Sequence, residues 1–178
     1  MKLNTLSVAV ILTGLSLTNW QAAHATPAGV NARVSARVME MNKMQARRVY
    51  EEGLSQGRFE VPYTADFVGR GGGKATFTHE QGMKEAKGWR QAFPDLNVVV
   101  DLVVAEGDLV SVRWTAKGTN TAPGMGLPVT GKYVETSGIT MFRFVDGAIA
   151  EEWTAGDAMG LMRQLGLLGG TPSPRPAQ

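Results

Sequence analysis

The sequence contains no cysteine and only two histidines, and both scarcities limit its chemistry. Without cysteine there is no disulfide, no thiol nucleophile and no cysteine-based metal site. His24 lies in an N-terminal segment that we expect to be removed, which leaves His79. One histidine without partner ligands predicts no metal site, and the chain has no nucleophile-elbow motif that would indicate a Ser/His/Asp triad.

A strong excess of charge of one sign is also missing. The chain has 18 Lys and Arg against 16 Asp and Glu, a formal net charge of +2, and its basic residues are scattered. Nucleic-acid-binding domains usually concentrate basic residues in a patch or stripe, so we expect no nucleic-acid partner. The glycine run 71–73 lacks the Lys-Ser or Lys-Thr ending of a phosphate-binding loop and is interpreted as a flexible loop.

The N-terminus has the pattern of a secretory signal peptide. Lys2 precedes an apolar run from Leu6 to Leu17, and Ala23-His24-Ala25 forms a small-x-small cleavage site. The apolar run is too short for a membrane span. We expect cleavage near Ala25 and export to the periplasm or the medium, with no membrane association after processing; a membrane-tethering N-terminal helix is the alternative.

The remaining length suits one domain. Removal of residues 1–25 leaves about 153 residues, enough for one substantial core and too few for two domains of ordinary size. We assign 26–35 to a disordered leader, 36–168 to the folded domain and the Gly/Pro/Ser-rich 169–178 to a disordered tail.

Two helices are predicted ahead of the strands. Helical spacing starts near Ala36, and the apolar side of this helix is predicted to hold Val38, Met41, Met44, Val49 and Tyr50. Thr78 and Gln81 form a capping-box pattern at the start of a second helix, which Pro94 ends. The inward residues of this second helix are predicted to be Met83, Ala86, Trp89 and Phe93.

Beyond Pro94 the pattern changes to strands and then to a short helix. The β-rich segments are 98–104, 109–117 and 133–144, and in the second of them Val110, Val112 and Trp114 share one face. Helices followed by antiparallel strands are typical of an α+β fold. We predict a strongly curved mixed or antiparallel sheet wrapped around the N-terminal helices, with a pocket at its open end.

The pair Asp146-Gly147, flanked by alternating apolar residues, is a strong hairpin signal that sets a register. If Val145 faces Ala148, the following pairs are Phe144 with Ile149, Phe142 with Glu151, and Thr140 with Trp153. Glu151 would then lie on an apolar face, where burial raises the pKa of a carboxyl group and suits it to acid–base catalysis. Two alternatives remain open: Glu151 pairs with Arg or Lys at the rim, or a one-residue bulge turns it outward.

Three further candidates each have two interpretations. Asp157 precedes a short amphipathic helix and is either a catalytic acid or a helix N-cap. Trp114 and Trp153 are suited either to stacking on a flat substrate or to packing in the core. His79, beside the predicted N-cap, is interpreted as an exposed residue rather than a catalytic one.

An ordered series of short motifs resembles the SnoaL-like polyketide cyclases, also called ester cyclases. The family belongs to the nuclear-transport-factor-like superfamily. The pieces, between Met44 and Gly166, are Arg48-Val-Tyr-Glu-Glu52, Asp66-Phe-Val-Gly69, Phe93-Pro-Asp-Leu96, Ala105-Glu-Gly-Asp108, Val112-Arg-Trp-Thr-Ala116, Gly131-Lys132, Phe142-Arg-Phe-Val-Asp-Gly147, Glu151-Glu-Trp153, and Asp157 through Leu165-Gly166. The resemblance implies a cone-shaped α+β fold. It also implies a cofactor-free intramolecular aldol closure, in which a carboxylate removes a proton beside a carbonyl and polar groups stabilise the enolate.

The chain departs from the family pattern at three positions. Related sequences commonly have His where this chain has Arg70 and again where it has Asn120. They commonly have an acid directly after the last Trp, where this chain has Thr154. If the family base belongs at that last position, this chain has lost it.

Two functions are compatible with these observations. The first is an exported enzyme that acts without cofactor on a small apolar carbonyl, ester or cyclic compound, with Glu151 or Asp157 as acid or base. Its predicted substrate-binding residues are Trp153, Phe142, Trp114, Trp89, Thr140 and Thr154. The second is a non-catalytic module of the same fold that binds an apolar small molecule or a protein partner. Homodimerisation through the convex face of the sheet is expected in either case.

Overall fold

The computed structural model describes residues 28–71 and 75–168. The predicted signal peptide and C-terminal tail lie outside these residues, as does most of the glycine run. None of the described helices is both long enough and apolar enough to cross a bilayer. The helices are α1 (Ala28–Arg48), α2 (His79–Ala92) and α3 (Ala158–Leu165), and the strands are β1 (Tyr63–Arg70), β2 (Thr76–Phe77), β3 (Asn97–Glu106), β4 (Leu109–Thr119), β5 (Tyr133–Val145) and β6 (Ala148–Gly156).

The six strands form one sheet in the order β2-β1-β6-β5-β4-β3. The pairing of β1 with β6 is parallel, and the other four pairings are antiparallel. The sheet is therefore mixed, and it curls without closing. The predicted α+β class and cone-shaped sheet are confirmed.

Helix α1 begins at Ala28, inside the segment expected to be a leader, and not near Ala36. It continues directly into a π-helical stretch over Val49–Leu54. The first helix is therefore longer than its apolar spacing predicts. Its C-terminal part packs against β3 and β4 of the sheet.

The predicted inward face of α1 is wrong over most of its length. Val38, Met41 and Met44 are exposed, whereas Tyr50 is buried as predicted and Val49 packs against the core. The helix also buries Asn42 and Ala46, in line with Tyr50. These buried residues follow one another at intervals of four, which places them on one side of the helix. Ala46 permits a close approach to the sheet, and the Tyr50 ring then reaches into the core.

Helix α2 starts as the sequence predicts. Thr78 Oγ1 accepts a hydrogen bond from Gln81 N, and Gln81 Oε1 accepts one from Thr78 N at 2.9 Å, so the capping box is complete. The backbone N–H of Phe93 closes the last turn on Trp89 O at 3.0 Å. This helix lies against β1. Phe93 belongs to a second apolar cluster, and Trp89 packs against it.

The main core lies between the concave face of the sheet and the helical segment around Tyr50. Val110 and Val112 are fully buried on β4 with Trp114 packed beside them, so the predicted alternation is confirmed. The core is completed on β5 and β6 by large apolar residues, namely Phe142, Phe144 and Ile149. This concave side is called the interior face below, and the convex side the outer face.

The hairpin between β5 and β6 turns at Asp146-Gly147, as predicted. Both residues have positive φ angles, 49° and 79°, which is the geometry of a type I′ turn. Val145 pairs with Ala148, and Phe144 pairs with Ile149. The predicted register is therefore confirmed for the first two pairs.

A bulge at Ala150 then shifts the register. Arg143, the next residue on β5, pairs with Glu151, so Ala150 has no partner across the ladder. From this point the pairs are Phe142 with Glu152 and Thr140 with Thr154. The predicted pairs Phe142–Glu151 and Thr140–Trp153 are wrong, because one extra residue exchanges the two faces of β6.

Candidate functional site

Glu151 lies on the outer face, in a double ion pair. Its carboxylate contacts Arg70 Nη1 at 2.7 Å and Arg143 Nε at 3.2 Å. Both guanidinium groups also lie over the ring of Trp153, with 5.1 Å and 5.9 Å from their Cζ atoms to the centroid. The predicted interior position is wrong for both Glu151 and Trp153, and both alternatives stated for Glu151, the ion pair and the bulge, are observed.

Asp157 caps helix α3. Its Oδ1 accepts a hydrogen bond from Gly160 N at 2.7 Å, and its own backbone N–H donates to Ser137 O at 3.1 Å. The side chain is exposed at the end of β6. Of the two interpretations of Asp157, the helix N-cap is confirmed.

Glu152 is the acid that the bulge turns toward the interior. It pairs with Phe142 on β5 and with Gly69 on β1, and it is half-buried. Loss of solvation raises the pKa of its carboxyl group from 4.5 to about 7, with a smaller contribution from the negative charge of Glu85 on α2. Among the described residues no side chain forms an ion pair with this carboxylate, in contrast to Glu151.

The phenol groups of Tyr50 and Tyr63 lie close enough to Glu152 for its negative charge to affect their pKa values. Burial raises the pKa of Tyr50 and of Tyr63, and the Glu152 carboxylate raises both pKa values further. Tyr63 stacks on the exposed His79, with 4.3 Å between ring centroids. Tyr63 also lines a small apolar cavity together with Val49, Gly53, Arg58, Phe59, Val61 and Met83.

A hydrogen-bonded cluster surrounds Thr140, which is fully buried on β5. Its Oγ1 lies 2.5 Å from the Tyr50 hydroxyl, 3.1 Å from Trp114 Nε1 and 2.7 Å from Thr154 Oγ1. The Tyr50 and Trp114 rings stack with centroids 5.7 Å apart. Thr140 and Thr154, both predicted as site residues, are therefore brought together on the interior face.

The remaining predicted site residues have different surroundings. Phe142 is fully buried and packs between Tyr50 and Phe144, with centroid distances of 6.3 Å and 6.4 Å. Trp89 lies in the second cluster, where its Nε1 donates to Glu85 Oε1 at 3.2 Å. Trp114 packs on the main core and, through Thr140, also contacts the polar cluster beside Glu152. Of the predicted set, Phe142, Trp114, Thr140 and Thr154 therefore share one site.

The three departures from the family pattern have three different structural outcomes. Arg70 points to the outer face, where it pairs with Glu151. Asn120 is fully buried and holds the loop between β4 and β5, because its Oδ1 accepts from Thr130 N at 2.8 Å and Oγ1 at 3.0 Å. Thr154 faces the interior, two residues beyond Glu152.

Sequence reasoning missed Glu152, although a signal for it was present. The resemblance places the family acid at position 154, and an acid used in an interior site must face inward. Side chains alternate along a strand, so an inward residue 154 requires an inward Glu152 and an outward Trp153. The predicted register was instead counted from the Asp146-Gly147 turn without a bulge, which placed Glu151 and Trp153 inward.

The described residues therefore form a cone-shaped α+β protein with a half-buried carboxyl group, free of ion-pair partners among them, on the interior face of its sheet. The model of the SnoaL-like polyketide cyclase family matches residues 44–165, and the chain belongs to that family. Among curated proteins none matches this chain.

Solved structures support the assignment. AclR of Streptomyces galilaeus, a suggested hydroxylase, is 26% identical with a TM-score of 0.67, over 75% of this chain and 90% of that chain. A suggested SnoaL-like polyketide cyclase of Jannaschia sp. CCS1 is 26% identical with a TM-score of 0.65, over 72% and 93%. IdmH of Streptomyces antibioticus, a suggested polyketide cyclase, is 28% identical with a TM-score of 0.62, over 70% and 98%.

Proposed function

We propose that this protein catalyses cofactor-free proton transfer at a carbon next to a carbonyl group, with Glu152 as the base. The observation that carries the proposal is a half-buried carboxyl group with no ion-pair partner among the described residues and a pKa raised to about 7. A base is most effective when its pKa lies near the working pH, because it is then both available and strong.

The proposed reaction begins with removal of an α-proton by the Glu152 carboxylate. The electron pair of the broken C–H bond forms a C–C double bond, and the carbonyl oxygen becomes an enolate. In an aldol closure, the enolate carbon attacks a second carbonyl of the same molecule, and the new alkoxide takes the proton from Glu152. In an isomerisation, Glu152 returns the proton to another carbon. Either route regenerates the carboxylate and requires no redox step.

The proposed substrate is a small, largely apolar carbonyl or ester compound. The surroundings of Glu152 are aromatic, with Phe142, Tyr50 and Tyr63 on neighbouring elements. Such rings favour flat, uncharged molecules. The negative charge of Glu85, which contributes to the raised pKa of Glu152, disfavours anionic substrates.

The test compares Glu152→Gln with Glu151→Gln, two isosteric changes at adjacent positions. The assay is Kemp elimination of 5-nitrobenzisoxazole, a probe for a carboxylate base in an apolar site. We expect Glu152→Gln to lower the rate by about 100-fold or more, and Glu151→Gln to leave it nearly unchanged. A wild-type rate equal to that of Glu152→Gln would overturn the proposal, and the non-catalytic binding module would take its place.

We also propose that the protein is exported and forms homodimers through its outer face. Export is supported by the signal-peptide pattern that ends at Ala25. The support for dimers is the apolar content of the outer face, where Leu102, Val104 and Ile139 are exposed. If export is wrong, N-terminal sequencing of the mature protein will begin at Met1. The dimer is tested by sedimentation: if it is wrong, the Ile139→Lys variant and the wild-type protein will have the same mass in solution.

A further inference from the structure

Strand β3 forms one edge of the sheet, so among the described residues it has a neighbouring strand, β4, on one side only. At such an edge the outward N–H and C=O groups of the backbone form a template on which a further strand can pair. In β3 the groups of Val98 and Val100 are directed this way, because side chains of the first helical segment bind them from outside the sheet.

Three side chains make these contacts. Arg47 Nη1 donates to Val100 O at 3.1 Å, and Glu51 Oε1 accepts from Val100 N at 3.3 Å. Ser55 Oγ accepts from Val98 N at 2.7 Å, and the shorter of its two possible donations, at 3.0 Å, goes to Val98 O. Arg47 and Glu51 also form an ion pair at 3.0 Å. Arg47, Glu51 and Ser55 are called the edge ladder below.

The spacing of the edge ladder matches the spacing of the strand. Helical residues four apart lie on one side of the helix with about 5–6 Å between their Cβ atoms. Outward-directed backbone groups of a strand recur at every second residue, about 6.6 Å apart. Successive members of the ladder therefore reach successive outward groups of β3, and the helical segment takes the position that a further strand would have.

Apart from a register shift near Asp101, β3 itself has little that would prevent strand pairing. Its ten residues, Asn97–Glu106, include five valines and contain no Lys, Pro or Gly. The Asp101 carboxylate accepts hydrogen bonds from Arg113 and Thr115 of β4, both at 2.8 Å, so its charge is held toward the sheet. The opposite edge strand, β2, is only two residues long. The edge that needs protection is therefore the one that carries the ladder.

We propose that the edge ladder is an autoinhibitory contact, which closes the edge of β3 against β3 of a second copy of this chain. Loss of the ladder frees the backbone groups of Val98 and Val100 in every copy. Two identical edges can pair antiparallel about a two-fold axis, and each then satisfies the N–H and C=O groups of the other. The second copy is the partner, because its edge has the same β-rich residues and the same free groups. This inference is independent of the proposed function.

The test combines amide hydrogen exchange, measured by NMR, with sedimentation of the Glu51→Ala/Ser55→Ala variant. This variant loses the bonds of Ser55 to Val98 and of Glu51 to Val100. In dilute solution we expect the Val98 and Val100 amides to exchange about 10-fold faster than in wild type, because each has lost its acceptor. In concentrated solution we expect a mass above that of wild type, together with renewed protection of the same two amides.

Glu52→Ala is the matched control, because Glu52 lies in the same helical segment but pairs with Arg48, at 3.1 Å. Its mass and its exchange at Val98 and Val100 should equal those of wild type. Ser55→Ala alone removes both bonds to Val98 and is the second variant if the double variant does not fold; we expect the same behaviour of its Val98 amide.

Three results would each show that the proposal is wrong. The first is wild-type protection of the Val98 amide in the dilute variant, which would mean that the ladder does not close the edge. The second is a concentrated variant that keeps the wild-type mass, or that gains mass without renewed protection of this amide, as association through the outer face would. The third is equal association of Glu52→Ala.

Discussion

Glu151 and Glu152 are chemically identical neighbours with opposite surroundings. Glu151 is held on the outer face by two arginines, at 2.7 Å and 3.2 Å, and 30% of its side chain is exposed. Glu152 faces the core and forms no ion pair with any described residue, and burial raises the pKa of its carboxyl group to about 7. A carboxylate is thus either a surface ion-pair partner or a candidate base according to the face on which its strand presents it.

The difference extends to the residues around the two carboxylates. Trp153 lies under guanidinium groups on the outer face, whereas Thr154 joins a network of hydroxyls and an indole on the interior face. Ion pairs at the surface contribute little stability. A buried charge without a partner costs stability, and proteins retain such groups mainly at functional sites.

Phe142→Ala should have the largest effect on stability and tests the contrast between the two faces. Phe142 is fully buried between Tyr50 and Phe144, so truncation removes its transfer energy and leaves a cavity. We expect a loss of about 3–5 kcal/mol. The control is Ile139→Ala on the outer face, where Ile139 is 55% exposed. If urea unfolding gives the same loss in free energy of unfolding for both variants, the contrast between the two faces is wrong.

The second prediction concerns pH. The carboxyl group of Glu152 has a raised pKa in the folded state, so its bound proton stabilises the fold, and this stability is lost as the pH rises from 4.5 toward 7. The full change is about 3 kcal/mol. Glu152→Gln removes it, so this variant should gain stability relative to wild type between pH 4.5 and pH 8, measured by denaturant unfolding.

Glu151→Gln is the matched control for this pH series. It should keep the fall in stability that wild type shows between pH 4.5 and pH 7, because Glu152 is unchanged in this variant. A parallel pH dependence of wild type and Glu152→Gln would show that Glu152 does not cause this fall.

The third prediction uses a glycine on the interior face. A Cβ atom at Gly138 would collide with the Trp114 ring and lie 2.5 Å from Ala155 O. We expect Gly138→Ala to cost about 1–3 kcal/mol and to shift the emission of Trp114. Gly71→Ala is the control, because no atom of the described residues lies within 4 Å of a Cβ there. An unchanged melting temperature in both variants would show that the Trp114 ring moves aside at little cost.

The smallest effect is expected for Glu151→Gln at neutral pH. Its ion pairs with Arg70 and Arg143 are partly exposed to solvent, and such pairs contribute about 0–1 kcal/mol. Thermal unfolding in low and high salt measures this contribution. A loss comparable to that of Phe142→Ala would mean that the outer-face cluster is a structural centre in its own right.

Most of the fold could be predicted from local patterns. The capping box at Thr78, the hairpin turn at Asp146 and the alternation along β4 each depend on residues close in sequence, and all three are present. The family resemblance extended these local elements to the whole sheet. The inward face of α1 was missed because Val38 and Met44 have apolar spacing, whereas the helix packs through the small side chain of Ala46.

The site could be predicted only in part, and the reason is the bulge. Up to Ile149 the register followed from the turn. Beyond it, the alternation of apolar and polar residues along β6 does not reveal that one extra residue forms a bulge. The residues that favour the bulged pairing are Arg70 and Arg143, which bind Glu151 and cover Trp153 from the outer face. Arg70 comes from a strand more than seventy residues earlier, beyond the range of a local pattern.

The unpaired Ala150 makes the interior side chains of β6 sensitive to chain length. A substitution changes one side chain, but loss or gain of a single residue here would exchange the side chains that β6 presents to the interior beyond it. Glu152 and Thr154 would give way to a different acid and a tryptophan in one event. Homologues of similar sequence can therefore differ in chemistry through chain length alone, and an alignment that tolerates a one-residue gap at this point conceals the change.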